Sequence, residues 1–172
     1  MHKIIALGVT LLLLMSLGGV GNAGSGTVKI LGDEQFVPNA MIMATFKFAP
    51  GPVSTVTGAT ITWDNTGNQA SADEPHTVTI VNQGDLPTSI DQVFSCGAPG
   101  TPCAAAFAAH FPAPGVFVPT VNVGAAGLDT AGDSIWISPH STATATISAP
   151  AGSTLYYLCA LHAWMQGSIS VK

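Results

Sequence analysis

Polar and apolar residues trade places one for one along much of this chain, and that rhythm admits few folds. It is clearest in "TVKILG" (27–32), in "ATFKFAPGPVSTVTGATITWDNTG" (44–67), where Ile61 and Trp63 alternate with Thr60 and Thr62, and in "HTVTIVN" (76–82). It returns in "DSIWIS" (133–138), "TATATIS" (142–148), "TLYYLC" (154–159) and "GSISVK" (167–172). A two-residue period built from β-branched and aromatic residues describes half-buried strands, because successive side chains leave a strand on opposite faces. Gly58, Asp64-Asn65, Pro139 and Pro150-Ala151-Gly152 punctuate these runs as turns. Short strands at this spacing, with no convincing amphipathic helix elsewhere, predict an all-β chain folded as an antiparallel sandwich or barrel.

One stretch breaks the rhythm. Residues 83–132 are rich in Gly, Ala and Pro, hold two of the three cysteines, and offer one short helical turn around "CAAAFAAHF" (103–111). Phe94, Phe107, Phe111 and Phe117 make the stretch too apolar for a disordered tail, so it reads as a long ordered insertion between strands.

The opening residues also stand apart. Lys3 supplies a positive start, Ile4 to Leu17 an apolar run, and Gly21-Asn22-Ala23 a small-x-small cleavage site, the pattern of a secretory signal over residues 1–23. The apolar run falls short of the roughly 20 residues that span a bilayer, so no stable membrane insertion is expected after cleavage. Residues 24–172 then suit a single domain around one core. Its nine acidic residues, three lysines and lack of arginine exclude the clustered cations that nucleic acid requires. Export to the periplasm or cell exterior favours paired cysteines, and three cannot all pair. Cys96 and Cys103 flank the turn residues of "CGAPGTPC" and are expected to form a disulfide, which leaves Cys159 over.

That leftover thiol sits in "YYLCALHAWMQGSISVK", three residues before His162, which in turn sits three before Met165. A thiolate, imidazoles and a thioether make a ligand set for soft or borderline metals, copper above all, with zinc also able to bind. On a tight loop Cys159 and His162 can turn toward one point and Met165 can approach it from another side. A trigonal site needs a second histidine. His76, at a loop-to-strand junction after Pro75, is the candidate, since loops at one end of a sandwich bring distant residues together. The competing reading makes Cys159 a buried apolar thiol, Met165 a core filler and His76 a solvated loop residue.

These pieces resemble the cupredoxins, the small blue copper proteins. The family carries an upstream histidine at the start of a strand, here "PHTVTI", and a ligand loop with a last strand, here "YLCALHAWMQGSISV"; "GATITWDN" is similar to the strand leading toward the first ligand. The C-x2-H-x2-M spacing looks most like the short loops of the amicyanin and plastocyanin type. The resemblance spans roughly residues 44–82 and 133–172 and omits the insertion. It implies a cupredoxin-like Greek-key β-sandwich or barrel and one type 1 copper ion held by His76, Cys159 and His162, with Met165 as a weak axial ligand. It implies an electron shuttle rather than an enzyme: a monomer cycling between Cu(I) and Cu(II), whose redox partner docks near the exposed edge of His162. Leu161 and Trp164 would form an apolar rim there.

Two departures from the family pattern matter. Thr77 stands where the family often carries an Asn whose amide ties the ligand loops together, and its hydroxyl is expected to supply some of that bonding. Ala163 replaces a common proline. His110 and His140 read as solvated loop histidines, Met41 and Met43 as packing residues, and Asp73-Glu74 as a solvated acidic turn. No Ser-His-Asp pattern, phosphate loop or convincing carboxylate pair competes. Two other functions remain open: a copper carrier or store that delivers metal to another exported protein, and a binding module that uses 83–132 for recognition. On either view, deleting 83–132 is expected to weaken partner binding and to spare the copper centre.

Overall fold

The computed structural model describes residues 25–172, and the signal expected over residues 1–23 lies outside them. In β1 (Gly26–Leu31) Val28 and Ile30 are buried while Thr27 and Lys29 face solvent, so the sequence alternation becomes one wet and one dry face. β1 joins β4 (Lys47–Ala49), β6 (Thr60–Asp64) and β10 (Thr142–Thr146) in a sheet of order β10-β6-β1-β4. The facing sheet runs β5-β12-β11-β7-β9-β8, from β5 (Pro52–Thr55), β12 (Gln166–Val171), β11 (Thr154–Leu158), β7 (His76–Val81), β9 (Ser134–Ile137) and β8 (Thr120–Val121). Neither sheet closes on itself, so the all-β fold is a sandwich and not a barrel. It is also not purely antiparallel. β1 lies parallel to β6, and β5 lies parallel to β12, because the chain changes sheets between β4 and β5.

The core lies between the sheets. Val28, Ile30, Ile61 and Trp63 from one side meet Val78, Ile80, Tyr157 and Ile169 from the other, all sealed from solvent. Burying each such side chain stabilises the fold by about 1.5–3 kcal/mol. Tyr157 pairs across the β11–β12 ladder with Gly167, where any Cβ would collide with the tyrosine ring; the phenol donates to the Gly51 carbonyl at 3.1 Å. Gly58 and Gly152 occupy left-handed backbone, as turns at those positions require.

β7 departs from the half-buried pattern. Every residue in it is buried, with His76, Val78 and Ile80 on one face and Thr77, Thr79 and Val81 on the other. The second face is covered by the 83–132 insertion. That segment contains two helices where one turn was expected. α1 (Ile90–Ser95) is capped by Ser89, whose hydroxyl accepts from the Gln92 amide; α2 (Pro102–His110) begins with a Thr101 cap and Pro102. The expected Cys96–Cys103 disulfide joins them, with Cα atoms 5.3 Å apart. Both cysteines pack with Val81, Leu158 and Ala163 in a second small core. The insertion is therefore seated on the sandwich, against β7 and the loop after β11.

A hairpin of β2 (Glu34–Val37) and β3 (Met41–Ala44) was not foreseen. Its Met41 and Met43 lie on the surface.

Candidate metal centre

The spacing of Cys159, His162 and Met165 is the spacing of two consecutive turns. The His162 amide donates to the Cys159 carbonyl at 3.2 Å and the Met165 amide to the His162 carbonyl at 2.8 Å, each bond closing a three-residue step. The Cys159 amide then donates to the Met165 carbonyl at 3.0 Å, which shuts the loop between β11 and β12. From outside the loop, Gln166 donates to the Pro87 carbonyl of the insertion at 2.8 Å.

His76 arrives from β7 with its ring already oriented. Its Nε2 lies 2.8 Å from the carbonyl of Ser71, in the 3-10 turn Ala70–Asp73. A carbonyl only accepts, so Nε2 carries the proton and Nδ1 is left bare toward the loop. The Asn65 side-chain amide donates to the Glu74 carbonyl at 2.9 Å and braces the approach to His76.

Three donor atoms converge. Cys159 Sγ lies 3.7 Å from His76 Nδ1 and 3.6 Å from His162 Nδ1, and the two nitrogens are 3.2 Å apart. A circle through these atoms has a radius of about 2.0 Å, the length of a metal–imidazole bond. An ion of that bonding radius fits among the three donors, two borderline nitrogens and one soft sulfur. Met165 is fully buried in the same core cluster as Cys159, at the far end of the closed loop.

The surroundings keep the imidazoles ready to bind. Burial pushes the His162 pKa down to about 4, aided by the charge that His76 would carry, and burial also pushes His76 down against the bond from Ser71. Both rings are neutral at pH 7, as ligands must be. Burial raises the Cys159 thiol, opposed by hydrogen bonds from the amides of Thr77, Leu161 and His162 and from the Thr77 side chain. Such donors stabilise a thiolate once a cation sits beside it. Thr77 does provide the loop-tying bonds expected of it: its amide donates to Cys159 Sγ at 3.3 Å, and its hydroxyl accepts from the Ala160 amide at 2.8 Å.

Phe46 was not singled out by sequence. Its buried ring stands edge-on to both His76 and His162, with centroids 5.9 and 5.2 Å away, and it also contacts Trp164. The alternation in "ATFKFAPG" marks Phe46 and Phe48 as inward-facing, but nothing in it says which would reach the histidines. Trp164 is 40 % exposed and lies against His162, consistent with a surface rim.

The other histidines among the described residues are not in the cluster. His140 is exposed and pairs with Asp73 at 2.9 Å. His110 is not solvated as expected; it ends α2 and is completely buried.

No protein-family model matches the chain, and no curated protein matches it. Solved structures do. Dithionite-reduced auracyanin from the photosynthetic bacterium Roseiflexus castenholzii is 18 % identical, with 86 % of this chain and 96 % of that one covered and a TM-score of 0.47. The purple cupredoxin from Nitrosopumilus maritimus is 12 % identical, covering 86 % and 99 %, with a TM-score of 0.43. Oxidised plastocyanin from Dryopteris crassirhizoma is 19 % identical, covering 85 % and 99 %, with a TM-score of 0.40. The structures similar to it are cupredoxins.

Proposed function

We propose that this chain is an exported type 1 copper protein that carries single electrons between redox partners, with His76, Cys159 and His162 as its strong ligands and Met165 as its axial one. The observation that carries the reading is the triangle of His76 Nδ1, His162 Nδ1 and Cys159 Sγ, sized for one ion and held by backbone turns on one side and by Ser71 on the other. Copper bound there supplies a Cu(I)/Cu(II) couple. The chain's own residues hold the donor positions. The closed loop fixes Cys159 and His162, Phe46 wedges both rings, and the Thr77 amide donates to the sulfur, so little has to rearrange when charge changes. His162, partly exposed beside Trp164, is the edge at which a partner docks.

The proposed span is a signal over 1–23, then one copper domain over 24–172 with 83–132 inserted, working as a monomer in the periplasm or outside the cell. The Cys96–Cys103 disulfide supports an oxidising compartment. No helix among the described residues is long and apolar enough to cross a membrane.

The test is the visible spectrum of the mature protein loaded with Cu(II), beside Cys159→Ser. An intense thiolate-to-copper band that the variant lacks is the expected result. A protein that takes up only Cu(I) and stays colourless would replace electron transfer with copper carriage.

A further inference from the structure

The turn that carries His162 to Met165 is gripped at its middle. The Met165 amide donates to the His162 carbonyl at 2.8 Å, which makes Ala163 and Trp164 the central residues of a β-turn. That bond fixes the ends of the turn and does not itself orient the peptide between Ala163 and Trp164. Rotating this peptide interconverts type I and type II turns. The type II form would put Trp164 in left-handed backbone, which it does not adopt here. A proline at the first central position would preset the backbone there, and Ala163 does not.

The restraint comes from Gln166, the first residue of β12. Its Nε2 lies 3.2 Å from the Ala163 carbonyl and 2.8 Å from the Pro87 carbonyl of the insertion. Both carbonyls only accept, so the side-chain amide turns its NH2 toward them, and one proton serves each bond. Both ends of this bridge are held in turn. Gln166 pairs with Leu158 in the β11–β12 ladder, and Leu86, next to Pro87, packs against the small core. On the other side of Pro87, the Thr88 amide and hydroxyl donate to Gln92 Oε1 at 2.7 and 2.9 Å. Ala163 is held by its side chain as well: 4 % exposed, it sits in that core with Cys96, Cys103, Val81 and Leu158.

We propose that Gln166 is a positioning residue for the centre: by donating to Ala163 and to Pro87 at once, it locks the central peptide of the His162–Met165 turn onto the insertion. This rests on the copper reading above. His162 and Met165 hang from the two ends of this turn, so the peptide between them sets how the imidazole and the thioether stand to each other. Trp164 follows the locked peptide directly. Its ring contacts both Phe46 and His162, so a peptide free to rotate would disturb the ligand ring through it. The insertion thus supports two of the four ligands through one side chain.

Two variants test it, Gln166→Glu and Gln166→Met, each close to glutamine in size and neither able to donate at pH 7. In the metal-free protein, hydrogen exchange of the Met165 amide should quicken about tenfold in both, the effect of losing two neutral hydrogen bonds, while the amides of β6 in the far sheet stay as in wild type. In the copper-loaded protein, both variants should lose copper to a chelator faster than wild type and show a broadened thiolate band. Exchange that quickens equally in β6 would mean a general loss of stability and overturn the positioning role. Unchanged Met165 exchange, or a change in Gln166→Glu alone, which would belong to its charge, overturns the clamp. Faster Met165 exchange with copper loss and band unaltered overturns its effect on the centre. A wild type without a thiolate band overturns the copper reading, while exchange in the metal-free protein still decides whether Gln166 holds the turn.

Discussion

At the scale of single residues, the centre depends on groups that hold the ligands as much as on the ligands. Phe46 touches both imidazoles edge-on and is 3 % exposed, so truncating it opens a cavity beside them. Phe46→Ala should cost about 3–5 kcal/mol of stability in the metal-free protein, the range for a large aromatic removed from a core. It should also speed copper loss to a chelator, because its ring stands edge-on to both His76 and His162. Urea unfolding and chelator-exchange kinetics measure the two effects. A variant as stable as wild type would show that the ring is idle. The ligand candidates were legible because Cys159, His162 and Met165 lie within one short loop, and their spacing is the spacing of its turns. His76 could be picked from its strand junction. Phe46 and the Ser71 carbonyl could not, since their roles arise where separate segments meet and leave no local pattern. His110 misled for the same reason: a lone histidine in an Ala-rich stretch gives no sign that a carbonyl and a serine will enclose it.

At the scale of elements, period two identified the strands of the two sheets except β8, which lies in the insertion, and it failed where burial was two-sided or absent. β7 is covered on its threonine face by the insertion that follows it, so its alternation in polarity does not track exposure. In the hairpin, Phe36 and Ile42 are apolar yet exposed, and polarity again says nothing of position. The insertion's order was readable from its phenylalanines, of which Phe111 and Phe117 pack on Trp136, but its seat on the sandwich was not. The disulfide ties α1 to α2 across eight residues. Replacing both cysteines by alanine should cost about 2–3 kcal/mol, the chain-entropy value for so short a loop. The thiolate band should persist, since Cys159 is held by its own turns. A lost band would mean that the small core around Val81, Leu158 and Ala163 also sets the ligand loop.

At the scale of the whole molecule, two buried histidines and one half-buried one share an electrostatic consequence. His76, His110 and His162 all have pKa values pushed below the ordinary 6.5, with burial the largest cause in each. In the unfolded chain they take up protons as pH falls through about 6.5. In the fold they resist, His162 until about pH 4. The unfolded state therefore binds more protons across this window, so stability rises with pH there and falls on acidification. Asp64, held low by its bonds from Thr66, adds to the loss at still lower pH, while Asp129, raised by its surroundings, opposes it. The metal-free protein should melt at a lower temperature at pH 5 than at pH 7.5, and His110→Gln, which removes one of the three groups, should reduce the difference. Calorimetry at the two pH values reads this directly. Equal melting temperatures would mean that the imidazoles reach water in the native state, in which case neither the metal triangle nor the surroundings of His110 are as closed as the fold draws them.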